Sequence, residues 1–177
     1  MKLLLIVLLS LTCEMALAQS PRSQSNQAPV LEELRWVDNG YLERQRALID
    51  EIGRSEFGSR VRKDISDLRL LQRIIDQGLI NQTQKQHLQA MGVVLGDVYV
   101  SELGLEWRVY KDELGKSRAV CQPKTSHCLF PITMISKRAS LGVKPDIRAL
   151  YDKGVSNIAD HIPKIPYSAP AQDKNAR

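Results

Sequence analysis

Two groups of side chains in this 177-residue chain have types and spacings suited to chemistry. The first is Cys121, His127 and Cys128. Two cysteines and a histidine can ligate zinc, a histidine beside a cysteine can take the thiol proton to make a nucleophile, and two cysteines in an oxidising compartment can close a disulfide. Spacing weighs against the first two. No fourth ligand is evident, His87 and His161 being remote in sequence, and the separation is not that of a zinc knuckle. On a strand, His127 and Cys128 point to opposite faces, which takes the imidazole away from the thiol. A structural disulfide between Cys121 and Cys128 is the favoured reading, with free thiols, a metal site and a nucleophile as the alternatives.

The second group is Asp97, Glu102 and Glu106. Two carboxylates facing a cleft can act as an acid and base pair. On a helix, however, Asp97 and Glu102 are five apart and lie off one another's face. Glu106, flanked by Leu105 and Trp107, is expected half-buried against Lys137 or Arg138. Glu106, Trp107, Lys137 and Arg138 therefore form the candidate interaction surface, where an aromatic and opposite charges converge. The three histidines have no motif of a Ser-His-Asp site around them. Gly92 and Gly96 do not link a strand to a helix as a phosphate-cradling loop requires.

Where these groups sit depends on the surrounding elements, which hydrophobic periodicity reads as helices followed by strands. Tyr41, Leu42, Gln45, Leu48, Ile49 and Ile52 recur at helical spacing behind a capping Asp38, ending near Gly53 or Gly58. Asn39-Gly40 marks a break from an earlier turn through Leu31, Leu34 and Val37. A second helix lines Ile65, Leu68, Leu71, Ile74 and Ile75 along one face, with Gly78 at its C-terminal end. A third runs from about Thr83 to Leu103. Its Gly92 and Gly96 stack on one face and let a neighbouring backbone approach, and each costs about 1 kcal/mol against alanine, so tight packing has to offset them.

After Gly104 the pattern alternates. Leu105, Trp107 and Val109 interleave with Glu106, Arg108 and Tyr110 as a strand with one buried face. Asp112 to Gly115 supplies a hairpin turn, Ser117 to Gln122 a second strand, residues 123–126 another turn, and His127 to Phe130 a third strand stopped by Pro131. That loop sets Cys121 directly across the ladder from Cys128, within local adjustment of disulfide geometry. A final helix from Pro145 turns Ile147, Leu150, Tyr151, Val155 and Ile158 inward. The expected fold is α+β: N-terminal helices packed on a three-stranded antiparallel meander with a C-terminal helix.

The first residues bear on the cysteines. Met1 and Lys2, the apolar run Leu3 to Leu11 and the triplet Ala16-Leu17-Ala18 read as a secretory signal peptide over 1–18, cleaved after Ala18. The run breaks at Thr12-Cys13-Glu14, too short for a spanning helix of about 20 apolar residues. Cys13, preceded by Ser10-Leu11-Thr12, lacks the small residues expected before a lipidated cysteine. The mature protein is then periplasmic, without a stable membrane anchor, and carries an even pair of cysteines where disulfides form. Residues 19–29 read as a disordered linker, 30–162 as a single globular domain and 163–177 as a disordered tail. The net charge of +5 comes from basic residues interspersed with acidic ones, as in Arg60, Arg62 and Lys63 ahead of Asp64 and Asp67, a solvated surface and not a nucleic-acid footprint.

A resemblance spans Asp67 to Arg138. Asp67-Leu68 with Leu71-Gln72 and Asp76, Leu88-Gln89-Ala90-Met91-Gly92 with Leu95-Gly96-Asp97, Leu103 to Trp107, Asp112 with Gly115, and Phe130-Pro131 with Met134 to Arg138 together resemble an uncharacterised bacterial family, domain-of-unknown-function family 3806. The resemblance implies one coherent domain and brings no activity, cofactor or catalytic residue. Cys121 and Cys128 fall outside its pattern, as an adaptation to export would. The functional expectation is a soluble periplasmic binding or interaction module without catalysis, cofactor or metal, acting on an unidentified envelope protein or ligand. The alternatives are an envelope hydrolase using a carboxylate pair, and a secreted inhibitor or immunity-type protein with a flat apolar or acidic interface.

Overall fold

The long apolar stretch around Gly92 and Gly96 forms the helix on which the other elements are laid. The computed structural model describes residues 28–161. In chain order its elements are β1 (Val30–Glu32), α1 (Trp36–Phe57), α2 (Asp67–Asp76), α3 (Lys85–Leu103), β2 (Glu106–Asp112), β3 (Gly115–Cys121), β4 (Cys128–Leu129), α4 (Pro131–Ser140), α5 (Ile147–Ile158) and a 3-10 turn at Ala159–His161. The fold is α+β, with an antiparallel sheet in the order β1-β2-β3-β4. The expected signal peptide at 1–18, most of the linker and the tail at 163–177 lie outside the described residues. Among the described residues no helix is long and apolar enough to cross a membrane.

Helix α3 is enclosed: from Ala90 to Tyr99 every residue is buried. The two glycines explain how. A Cβ on Gly92 would lie 2.5 Å from the Pro131 carbonyl oxygen and 2.7 Å from the Ile132 Cα, so the start of α4 rests directly on the α3 backbone. A Cβ on Gly96 would lie 2.3 Å from Cζ2 of Trp107, so the indole of β2 occupies that gap. The close approach expected of this glycine pair is thus made by one backbone and one aromatic ring. At the far end of the helix, the Tyr99 hydroxyl donates to the Leu150 carbonyl at 3.0 Å and its ring stacks on Tyr151 with centroids 5.1 Å apart, which docks α5. Burial pushes the Tyr99 phenol above its ordinary range.

Four expectations need correction. The meander has a fourth strand: Val30–Glu32 pairs antiparallel with Val109 to Lys111, where a turn had been expected through Leu31. A three-residue strand carries too little alternation to read, and it is specified by its partner. Asn39-Gly40 does not break the chain but lies inside α1, whose N-cap is Arg35 and not Asp38. Asp38 instead occupies the first turn, where its carboxylate accepts the Arg35 backbone N–H at 3.2 Å and favours the positive end of the helix dipole. Pro131 does stop the strand, as expected, and it also opens a helix, α4, that the sequence pattern had not indicated, at the first-turn position where a missing N–H costs nothing. The last helix starts at Ile147, with the Asp146 carboxylate accepting the Ala149 N–H at 2.9 Å, so Pro145 lies just outside it.

The hairpin follows the sequence closely. Asp112 faces Gly115, whose φ of +127° takes the turn, and Cys121 faces Cys128 across the ladder. The glycine packing can be tested by two alanines of opposite sign. Gly40→Ala should stabilise the protein by up to about 1 kcal/mol, because the new methyl meets only the flexible end of Arg44, 3.4 Å away. Gly92→Ala should cost about 1–3 kcal/mol, the backbone clash outweighing its helix propensity. Urea unfolding of the two variants reads both, and equal effects would contradict the packing.

Candidate functional site

The carboxylates that could have formed an acid and base pair are dispersed. Asp97, on α3, is buried and held from two sides. Arg46 of α1 reaches it in a fork, Nε to Oδ2 at 2.6 Å and Nη2 to Oδ1 at 2.7 Å, and the Trp107 indole N–H donates to Oδ1 at 2.9 Å. Arg46 also bonds Glu43 at 2.7 Å. Glu102 accepts the backbone N–H of Ile65 at 3.1 Å, tethering the loop that leads into α2. Glu106 pairs with Arg108 two residues along its own strand. Each carboxylate thus has a separate structural bond.

The candidate interaction surface is also divided. Trp107 is half-buried against Gly96 and bonded to Asp97, while Glu106 points to the other face of β2. Lys137 and Arg138 are exposed in the last turn of α4, and among the described residues no hydrogen bond or ion pair joins them to Glu106 or Trp107. Lys137 lines a separate hollow of about 330 Å³ with His127, Cys128, Phe130 and Met134. Cys121 and Cys128 are bridged across β3 and β4, their Cα atoms 4.0 Å apart, and the bridge closes the loop in which the Gln122 N–H donates to the His127 carbonyl at 2.9 Å. Among the described residues no group of three or more His, Cys, Asp and Glu side chains is placed to hold a metal.

Concavity lies elsewhere, between α2 and the start of α5. A cleft of about 650 Å³ has Ile65, Leu68 and Pro145 among its lining, with Arg69, Lys144 and Arg148 around them. Its width is set by Gln72: the side-chain oxygen accepts the Ile147 N–H at 2.8 Å and the amide nitrogen donates to Asp76 at 3.0 Å. Both acidic residues in the cleft are engaged. Asp76 pairs with Lys144 at 2.8 Å, and the Lys144 ammonium and Gln72 amide hold its carboxyl below the ordinary range. Asp146 caps α5. What remains open to a ligand is the apolar lining, including Ile65 at 40% exposure, and the Arg69 guanidinium. None of these residues was singled out in the sequence as a site; Ile65 and Leu68 read as core-facing positions, and of the two Leu68 is buried while Ile65 is exposed at the cleft.

A family model described as Domain of unknown function (DUF3806) matches residues 67–151, from the first residue of α2 into α5. No curated protein matches the chain. Among solved structures, a crystal structure from Bacteroides thetaiotaomicron VPI-5482, at 1.50 Å resolution, is similar with a TM-score of 0.65 and 17% identity, over 73% of this chain and 48% of that one. That likeness is one of fold, and this chain spans about half the length of that structure.

The bonding of Asp97 has a direct test. Trp107→Phe removes the indole donor together with the outer ring atoms over Gly96, leaving one side of a buried carboxylate short of a partner and a gap beside the glycine. The expected loss is about 1–3 kcal/mol in urea unfolding. A variant as stable as the parent would show that the indole N–H carries nothing.

Proposed function

Residues 67–151 belong to the DUF3806 family, and from that premise we propose that the protein is an exported binding module of the cell envelope, without catalysis, whose binding surface is the cleft between α2 and α5. One observation carries this reading. The cleft combines a small-molecule-sized volume with an apolar lining and an unpaired guanidinium, while its two carboxylates are spent on Lys144 and on the α5 cap. Such a lining recognises a ligand with an apolar body and an anionic group. It has no free base, acid or nucleophile with which to transform one.

The alternative of an envelope hydrolase would need two of Asp97, Glu102 and Glu106 in one pocket, at a separation that leaves room for a glycosidic bond and water. Their separate attachments to Arg46, the Ile65 amide and Arg108 work against it. The Cys121–Cys128 bridge supports the exported location, since disulfides persist where the surroundings are oxidising.

Native mass spectrometry of the protein recovered from an envelope extract tests the cleft. The parent should retain an acidic amphiphile, and Ile65→Glu, which places a like charge on the cleft's apolar lining, should retain at least about tenfold less at an unchanged circular dichroism spectrum. Equal retention by the two proteins would rule the cleft out as the binding surface.

A further inference from the structure

Beside the cleft, and sharing Ser66 and Arg69 with it, lies a smaller hollow of about 110 Å³ between the α1–α2 loop and α2. Four arginines line it: Arg60 and Arg62 from the loop, Arg69 and Arg73 from α2. Its volume is that of about three or four waters. The acidic groups around it bond the backbone of the loop or its neighbours, and Asp50 also pairs with Arg54. Asp50 accepts the Val61 N–H at 2.9 Å. Asp67, fully buried, accepts the Arg62 N–H at 3.0 Å and the Lys63 N–H at 2.7 Å, where Lys63 turns the chain with a φ of +63°. Asp64 binds Ser66.

The outcome is an imbalance of charge. Arg46, Arg54, Arg108, Arg118 and Arg148 each take a carboxylate within ion-pair distance. Arg60, Arg62 and Arg69 take none within that distance among the described residues, Arg62 acting on Asp64 only from further off, and Arg73 stacks over the Phe57 ring at 4.0 Å, which fixes its guanidinium. Arg69 and Arg73 stand four apart on α2, where like charges repel. The one carboxylate in the lining, Asp67, faces the amides and not the guanidiniums. Planar guanidiniums, each offering paired N–H donors, match the oxygens of a tetrahedral anion, and several together supply the charge it requires.

We propose that this hollow is an oxyanion site that seats one phosphoryl or sulfuryl group among Arg60, Arg62, Arg69 and Arg73. It rests on the binding reading above only in that Arg69 and Ser66 belong to both surfaces, and it specifies the anionic group that reading leaves open. The group is either a free anion or the head of a ligand whose apolar body lies along Ile65 and Leu68.

Inorganic phosphate, titrated into the full-length protein at low ionic strength and followed by amide NMR, is the test. The amides of residues 59–63 and 66–70 should shift to saturation. Arg62→Gln with Arg69→Gln should raise the Kd at least about tenfold, and Arg60→Gln alone, at an exposed side chain with no bond to lose, should raise it measurably. Arg44→Gln, an exposed arginine of α1 outside the hollow, should leave it unchanged. Hexyl phosphate binding more tightly than inorganic phosphate would identify a headgroup, and equal affinity a free anion; both support the site. No saturable shift, the same shifts with acetate at equal ionic strength, or an equal loss in Arg44→Gln would overturn it. Inorganic phosphate does not reach the apolar lining, so its failure leaves the cleft standing. Loss of the cleft with phosphate binding intact would remove that reading alone.

Discussion

Helix α3 passes through the middle of the fold with every residue from Ala90 to Tyr99 covered, so the Asp97 carboxylate has to be neutralised inside the protein. A carboxylate withdrawn from water without partners costs several kcal/mol on the order of magnitude, and a fork from Arg46 with an indole N–H from Trp107 offsets it. Those partners come from α1 and β2. Satisfying one charge therefore sets the helix in front of α3 and the sheet behind it. Gly96 completes the arrangement, since any side chain there would displace the Trp107 ring from reach of Asp97. Gly92 does the same for α4 by admitting its backbone.

The other acidic residues are engaged in the same way. Asp50, Asp64, Asp67 and Asp146 bond backbone amides, and Asp38 and Asp76 take Arg118 and Lys144. Carboxylates used in this way hold loops and helix ends and are not free to work on a substrate. The arginines of the α1–α2 loop and α2 are left facing outward beside an apolar cleft. The proposed recognition of an anionic ligand draws on that division of charge, and Asp67 shows its internal cost: burial pushes its carboxyl above the usual range even though the Arg62 and Lys63 amides draw it down.

Much of the architecture was legible in the chain, for reasons that particular residues make plain. The period of Leu68, Leu71, Ile74 and Ile75, the alternation from Leu105 to Tyr110 and the turn at Asp112 to Gly115 are local signals, and the hairpin register that sets Cys121 against Cys128 follows from loop length alone. The Gly92 and Gly96 spacing announced a close approach but not what would approach. Non-local choices were hidden. Strand β1 exists because β2 offers an edge, and α4 because its backbone fits the groove over Gly92. The arginine hollow was hidden by a charge count: Arg60, Arg62 and Lys63 followed by Asp64 and Asp67 look balanced in a line. In space Asp67 turns inward to the amides, and only Asp64 is left near Arg62. Its remaining trace in the sequence is Arg69 and Arg73 at helical spacing on the α2 face away from the core.

The Asp97 carboxylate tethers α1 and β2 to α3. A thermodynamic cycle over Arg46→Met, Asp97→Leu and the double variant tests it most directly, each measured by urea unfolding. If the tether is right, either single change strands a buried partner and loses about 3–5 kcal/mol, and the double variant recovers more than half of the summed loss because both charges leave together. Single variants close to the parent in stability, or losses that simply add in the double variant, would contradict it.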